Sequence, residues 1–143
     1  MIHLEEITPE NWRTPLRVKE EQRSFVSEPN RLLARAYAYR GQNSRAFFVM
    51  DGDETVGMGL YHDCVKLNAY DFSQLLIDER FQGRGYGKET VRLVLEEMRS
   101  GARFPKVVLC YIEGNVAARR LYEGFGFVQT DQDEDEIIME RNL

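Results

Sequence analysis

The sequence has little of what would place it in a specialised class. Its two cysteines, Cys64 and Cys110, lie far apart and lack CxxC spacing, so neither a zinc ribbon nor a disulfide framework is indicated. Its two histidines, His3 and His62, have no neighbouring ligand residues, and no metal is expected. No apolar run approaches the ~18 residues of a membrane-spanning helix. The stretch Met1-Ile2-His3-Leu4-Glu5-Glu6 lacks the basic and apolar regions of a signal peptide, so the expected location is cytoplasmic, with no membrane partner. Basic charge is not in excess. A net charge of −5 argues against nucleic acid as a partner and is compatible with a cationic substrate. It is equally compatible with acidity that only keeps the surface soluble. No Cys–His or Ser–His–Asp arrangement suggests a covalent intermediate.

What is present fits one ordinary globular domain over residues 1–143, with 43% hydrophobic and 30% charged residues. His3 to Ile7 reads as a first strand. Thr8-Pro9-Glu10 reads as a helix start, Thr8 as N-cap and Pro9 at the first helical position, with the helix running to about Phe25. A second start at Ser27-Glu28-Pro29 leads into Leu32, Leu33, Ala36 and Tyr37 at helical spacing. Arg45 to Met50 and Thr55 to Tyr61 form a hairpin across Asp51-Gly52-Asp53, and Tyr70 to Ile77 is another strand. Arg84 to Arg99 is helical, with Val91, Val94, Leu95 and Met98 on one stripe. Lys106 to Ile112 is a continuous apolar run, as in a strand covered on both faces. A helix from Asn115 to Phe125 and two closing strands, Phe127 to Thr130 and Glu136 to Glu140, flank an acidic loop, Asp131 to Asp135. The expected architecture is α/β (α+β): a mixed, mostly antiparallel sheet of about six to seven strands with four helices on its faces. Trp12, Tyr37 and Tyr39 are expected to pack in the core or at its rim, and Cys110 to be a small core residue.

The sharpest local feature is Gln82-Gly83-Arg84-Gly85-Tyr86-Gly87, between a strand and a helix. Glycines at alternate positions let a backbone approach a ligand closely. The helix start behind them presents unpaired N–H groups and partial positive charge, suited to a pyrophosphate. Arg84 and Lys88 add cations. The dinucleotide pattern GxGxxG does not fit, and Gly87-Lys88 is followed by Glu89 where a Walker loop needs Ser or Thr. Further on, Asn115 suits an N-cap, and Asn115 and Tyr122 are seven residues apart, on one helix face.

Together, Gln82 to Gly87 and the later Asn115 to Ala118, Leu121-Tyr122 and Gly126-Phe127 resemble the two signatures of the GNAT (general N-acetyltransferase) superfamily, in the right order. Val18 to Val26 and Phe72 to Asp78 are similar to its bacterial spermine/spermidine branch. The resemblance implies direct transfer from acetyl-CoA to an amine, without a metal. It implies that the backbone of Leu75, Leu76 and Ile77 pairs with the pantetheine arm, the Leu76 N–H polarising the thioester. Gln82, Gly83, Arg84, Gly85, Tyr86, Gly87 and Lys88 would hold the pyrophosphate, and Asn115 and Ala118 would lie beside the coenzyme. Tyr122 matches the general acid; a phenol of pKa ~10 can protonate a leaving thiolate at neutral pH. Asp71 and Glu113 are the candidate bases, although either carboxylate also has a plain structural role open to it. Glu20, Glu21, Gln22, Phe25 and Glu28 are expected to form an acidic, partly aromatic wall for a cation, with Ser73 beside it. The implied acceptor is a small primary amine, a polyamine first, and a homodimer is possible among such relatives. Acetylation of protein N-termini or lysines, and a non-catalytic acyl-CoA-binding module, are the alternatives.

Overall fold

The computed structural model describes residues 1–143. One seven-stranded sheet runs through the molecule: β1 (Ile2–Glu6), β2 (Arg45–Asp51), β3 (Glu54–Cys64), β4 (Ala69–Ile77), β5 (Lys106–Ile112), β6 (Val128–Asp133) and β7 (Glu136–Asn142), in spatial order β1-β2-β3-β4-β5-β7-β6. Every neighbouring pair is antiparallel except β4 and β5, which run parallel. Three α-helices flank it: α1 (Pro29–Ala38), α2 (Tyr86–Gly101) and α3 (Val116–Gly124).

The fourth expected helix, Pro9 to Phe25, is absent. Thr8 closes only a short turn, accepting from the N–H groups of Asn11 and Trp12. Pro15 then lacks a donor and disfavours helical geometry at Thr14. Beyond it Leu16 and Val18 are buried at alternate positions, a strand-like period rather than a helical one. This extended run docks on the start of the glycine loop. The Arg17 N–H donates to Asp78 Oδ2 at 2.9 Å, and the Glu79 N–H donates to the Arg17 carbonyl at 2.9 Å.

The sheet separates two cores. On one face Val91, Val94, Leu95 and Met98 of α2 join Tyr122 of α3 against Phe47, Val49, Tyr70, Phe72, Leu109 and Met139. On the other, Leu32 of α1 joins Leu16 and Val18 against Phe48, Met50, Met58, Leu60 and Leu76. Alternation along β2 sends Phe47 and Val49 one way and Phe48 and Met50 the other. In β4 the alternation breaks. Leu60 pairs with Gln74 while Tyr61 pairs with Phe72, leaving Ser73 as a bulge. Tyr70 and Phe72 therefore face the α2 side, whereas Leu76 faces the α1 side.

Three further expectations change. β6 extends to Asp133, so the acidic tract is mostly an exposed edge strand rather than a loop; charge along such an edge blocks pairing with another chain. Trp12 and Tyr37 are 51% and 68% exposed. Cys110 is exposed, because β5 is covered on both faces only over Val107 to Leu109.

Candidate active site

β4 and β5 pair only at Tyr70–Val107 and Asp71–Val108. Past these two pairs the strands part, and the bulge at Ser73 turns β4 away. The main chain of Leu75 to Ile77 is thereby left with an unpaired side. Which groups point there follows from the register. The Asp78 N–H donates to the Val56 carbonyl on β3 at 2.8 Å, and Met58 lies opposite Leu76. Main-chain groups of alternate residues point the same way, so Leu76 bonds toward β3, and Leu75 and Ile77 face the gap. This corrects the expectation for the Leu76 amide: it is spent inside the sheet, and the Leu75 and Ile77 amides are the free ones. Gln82 Nε2 donates to the Ile77 carbonyl at 2.7 Å, which holds the loop against this strand.

The glycine loop follows. Asp78 is buried and caps the short turn Glu79–Phe81 that leads into it, accepting from the N–H groups of Arg17 and Arg80 and from Arg80 Nε. Hydrogen bonds from Arg80 and these amides hold its carboxyl below the ordinary range, against the opposing effect of burial. Gly83 and Gly85 have φ of +74° and +83°, a left-handed conformation that glycine adopts without strain. The first N–H of this turn with a main-chain acceptor is that of Glu89, bonded to the Gly85 carbonyl at 3.1 Å. The amides before it stay open to an anion, with exposed Arg84 and Lys88 beside them. Tyr86 turns its hydroxyl away, donating to Asp51 Oδ2 at 2.6 Å, and so pins α2 to the β2–β3 turn. A cleft bordered by Gln22, Leu75, Leu76, Ile77, Gln82 and the loop glycines runs on to Asn115, Ala118 and Tyr122. Of the residues named for the coenzyme, all but Arg84 and Lys88 border this one cleft, and the open loop amides suit a diphosphate.

Tyr122 is 9% exposed and packs edge-on against Phe72 and Phe127, at ring distances of 6.4 and 5.7 Å. Its hydroxyl has no protein partner, whereas the more deeply buried Tyr70 donates to the Met98 carbonyl and accepts from the Arg103 N–H, both at 2.9 Å. Burial pushes the Tyr122 phenol up to about 12, so it holds its proton at neutral pH. The ring borders both the glycine-loop cleft and a small cavity within the strand gap, shared with Phe72, Ser73, Gln74, Leu75 and Cys110.

That cavity leads to a chamber on the α1 face, bordered by Phe25, Arg35, Asp71, Ser73, Cys110 and Glu136 among others. Asp71 is 28% exposed, and burial raises its carboxyl above the ordinary value, partly offset by His62 and Arg35. His62 stands directly across β3 from it, with Nε2 3.9 Å from Asp71 Oδ2 and no hydrogen-bond partner. The Cys110 thiol opens onto the chamber, but packing around it and the Asp71 charge push it up to about 11, too high for a nucleophile at neutral pH.

Several expected residues lie elsewhere. Glu113 is exposed, accepts from Gln132 Nε2 at 3.1 Å, and borders a separate hollow with Arg119 and Gln129. Glu20 and Glu21 are exposed, and Glu28 pairs with Arg23 at 3.7 Å at the surface. Gln22 borders the glycine-loop cleft rather than the chamber. Only Phe25 and Ser73 of the expected acceptor wall reach the chamber, because Glu20–Gln22 forms a short 3-10 turn that leaves Glu20 and Glu21 exposed. Arg35, His62 and Glu136 escaped sequence reasoning. No motif marks them, and only strand pairing and the docking of α1 bring them to Asp71.

Comparisons agree with this geometry. A model of the acetyltransferase (GNAT) family matches residues 4–127. The spermine/spermidine N(1)-acetyltransferase of Bacillus subtilis is 35% identical over 54 residues, covering 38% of this chain and 36% of that protein. The chain thus spans little more than a third of that relative. The crystal structure of spermidine N-acetyltransferase from Vibrio cholerae in complex with CoA and spermine has a TM-score of 0.74 at 18% identity, covering 99% of this chain and 94% of that one. The ribosomal-protein alanine N-acetyltransferase of Escherichia coli gives 0.75 at 15% identity, over 99% and 94%. At these identities the two structures speak for the fold alone. The family match runs through both the glycine loop and the helix carrying Tyr122, and the chain belongs to the acetyltransferase (GNAT) family.

Proposed function

We propose that the protein transfers an acetyl group directly from acetyl-CoA to a primary amine of a small molecule. One observation carries this: a buried phenol without a partner and a carboxylate raised by burial approach the same break in the sheet from opposite faces. Acetyl-CoA supplies the thioester, a coenzyme that the Vibrio cholerae structure also holds in its CoA form.

The amine arrives as an ammonium of pKa ~10.4 and must lose a proton before it can attack. Asp71, from the chamber side, takes that proton. The free nitrogen adds to the thioester carbonyl, whose developing negative charge is met by the N–H of Leu75, which shares the strand-gap cavity with Tyr122. Collapse expels a thiolate, Tyr122 gives it a proton, the second proton shed by the nitrogen as the amide forms restores the phenol, and the first leaves Asp71 for solvent. The glycine-loop amides, with Arg84 and Lys88, hold the diphosphate and fix the thioester in the gap.

Spermine and spermidine are the acceptors that the printed activity of the Bacillus subtilis relative supports. They head the substrate panel. The test follows CoA release from acetyl-CoA with polyamines, diamines, amino acids and short peptides. Tyr122→Phe should lower turnover by ~10²-fold while leaving coenzyme affinity intact. Near-normal turnover of that variant removes Tyr122 as the acid. Tight acetyl-CoA binding with no turnover on any amine would instead make the protein a binding module.

A further inference from the structure

We infer that the acceptor amine also carries a carboxylate, and that Arg35 binds it. This rests on the acetyl-transfer proposal and narrows its substrate class. Arg35 lies on α1 and borders the same chamber as Asp71, Ser73 and Glu136. Its guanidinium sits 4.8 Å from the ring centre of Tyr39, which in turn stacks on His62 at 4.1 Å. The stack holds the cation against the chamber wall.

Arg35 is in no ion pair, although its charge helps to lower the Asp71 carboxyl. Arg45 and Arg103 pair with Glu97 and Asp63 at 2.8 and 2.7 Å, whereas Arg35 has no carboxylate at ion-pairing distance and its buried Nε has no hydrogen-bond partner. A buried N–H without an acceptor is costly, and a guanidinium matches a planar carboxylate through two parallel bonds. The Oγ of Ser73, likewise buried and unpartnered, offers one more hydrogen bond at the same wall.

The chamber is therefore complementary to a zwitterion. The ammonium turns to Asp71, which must deprotonate it, and the carboxylate turns to Arg35. A polyamine leaves Arg35 unsatisfied and sets its own ammonium groups against a guanidinium. The chamber volume of about 250 Å³ suits a small acceptor, being below the ~300 Å³ where pockets for drug-sized ligands begin.

Isothermal titration into the protein saturated with CoA reads acceptor binding without turnover. The probes are the standard L-amino acids, β-alanine and γ-aminobutyrate, each against its amide, together with spermine and spermidine. At least one acid should bind tenfold or more tighter than its amide. That preference should vanish in Arg35→Gln and survive in part in Arg35→Lys. CoA affinity should be the same in all three proteins, which excludes misfolding. Equal binding of acid and amide in every pair, a preference that persists in Arg35→Gln, or polyamines binding tighter than every amino acid would overturn the inference. Binding of the acids without acetylation would sink the transfer proposal and leave only carboxylate recognition by Arg35 standing.

Discussion

His62 shows how one partner can determine what a side chain does. Its Nδ1 lies 2.9 Å from the Asp63 carbonyl, which only accepts, so Nδ1 carries a proton. Nε2 is then left to face Asp71 Oδ2. Burial raises the Asp71 carboxyl, and His62 and Arg35 draw it back down; Cys110 on β5 and Glu136 on β7 complete the groups around it. A base works only when deprotonated, so activity falls as pH drops through this pKa. His62→Gln removes one lowering influence. The acid limb of the kcat/KM profile should move to higher pH, and a limb that stays in place would count against Asp71 as the base. Tyr122 behaves in the opposite sense. At about 12 it stays protonated throughout this range and can donate at neutral pH. The roles of Tyr122 and Asp71 had a basis in spacing and resemblance. Arg35 and His62 had none, because nothing local in the sequence marks a residue whose partner lies on another element.

At the scale of elements, the site depends on β4 parting from β5 while staying fastened to β3. Gly57 is essential to that fastening. A Cβ there would come within 2.4 Å of the Leu76 carbonyl oxygen and 2.9 Å of Ile77 Cδ1. Gly57→Ala should therefore cost about 1–3 kcal/mol through overpacking and weaken acetyl-CoA binding, since the shift lands on the strand that faces the coenzyme. Thermal melts and CoA titration check this. Gly41→Ala, with nothing within 4 Å, is the control expected to be near neutral. A Gly57→Ala protein that melts with the wild type would show that the strands have more slack than this packing implies. The helices α1 and α2 were legible because each has a single apolar stripe. No helix forms before α1, although Thr8-Pro9 carries a capping signal, because Pro15 stops the turn that begins there. The bulge at Ser73 has no sequence signature, since alternation on either side of it looks regular.

For the whole molecule, stability depends on joining two cores through one sheet. Glu97 of α2 receives two bonds from Arg45 of β2, at 2.8 and 2.9 Å, and a third from the Tyr61 hydroxyl of β3. These bonds outweigh desolvation and hold its carboxyl below the ordinary 4.5. A lowered folded value means that the stabilisation is present above 4.5 and lost as pH falls through the folded pKa. Glu97→Gln should thus cost about 1 kcal/mol at neutral pH, allowing for solvent screening at a side chain 35% exposed. The gap from wild type should close as the solution is acidified. Denaturant melts across that range check it, and a gap that stays constant with pH would mean that charge is not what holds Glu97 in place.

The sequence by itself determined the family, the glycine loop and the phenol, because each depends on residues close together in the chain. Conformation at Gly83 and Gly85, the N-cap at Asn115 and the helical spacing to Tyr122 are local properties, written in local order. Tertiary structure alone decided which amides face the cleft and which charges face the chamber. One bulge reverses the parity of β4, and parity, with the pairing of distant strands, sets the face on which every side chain of the chamber emerges.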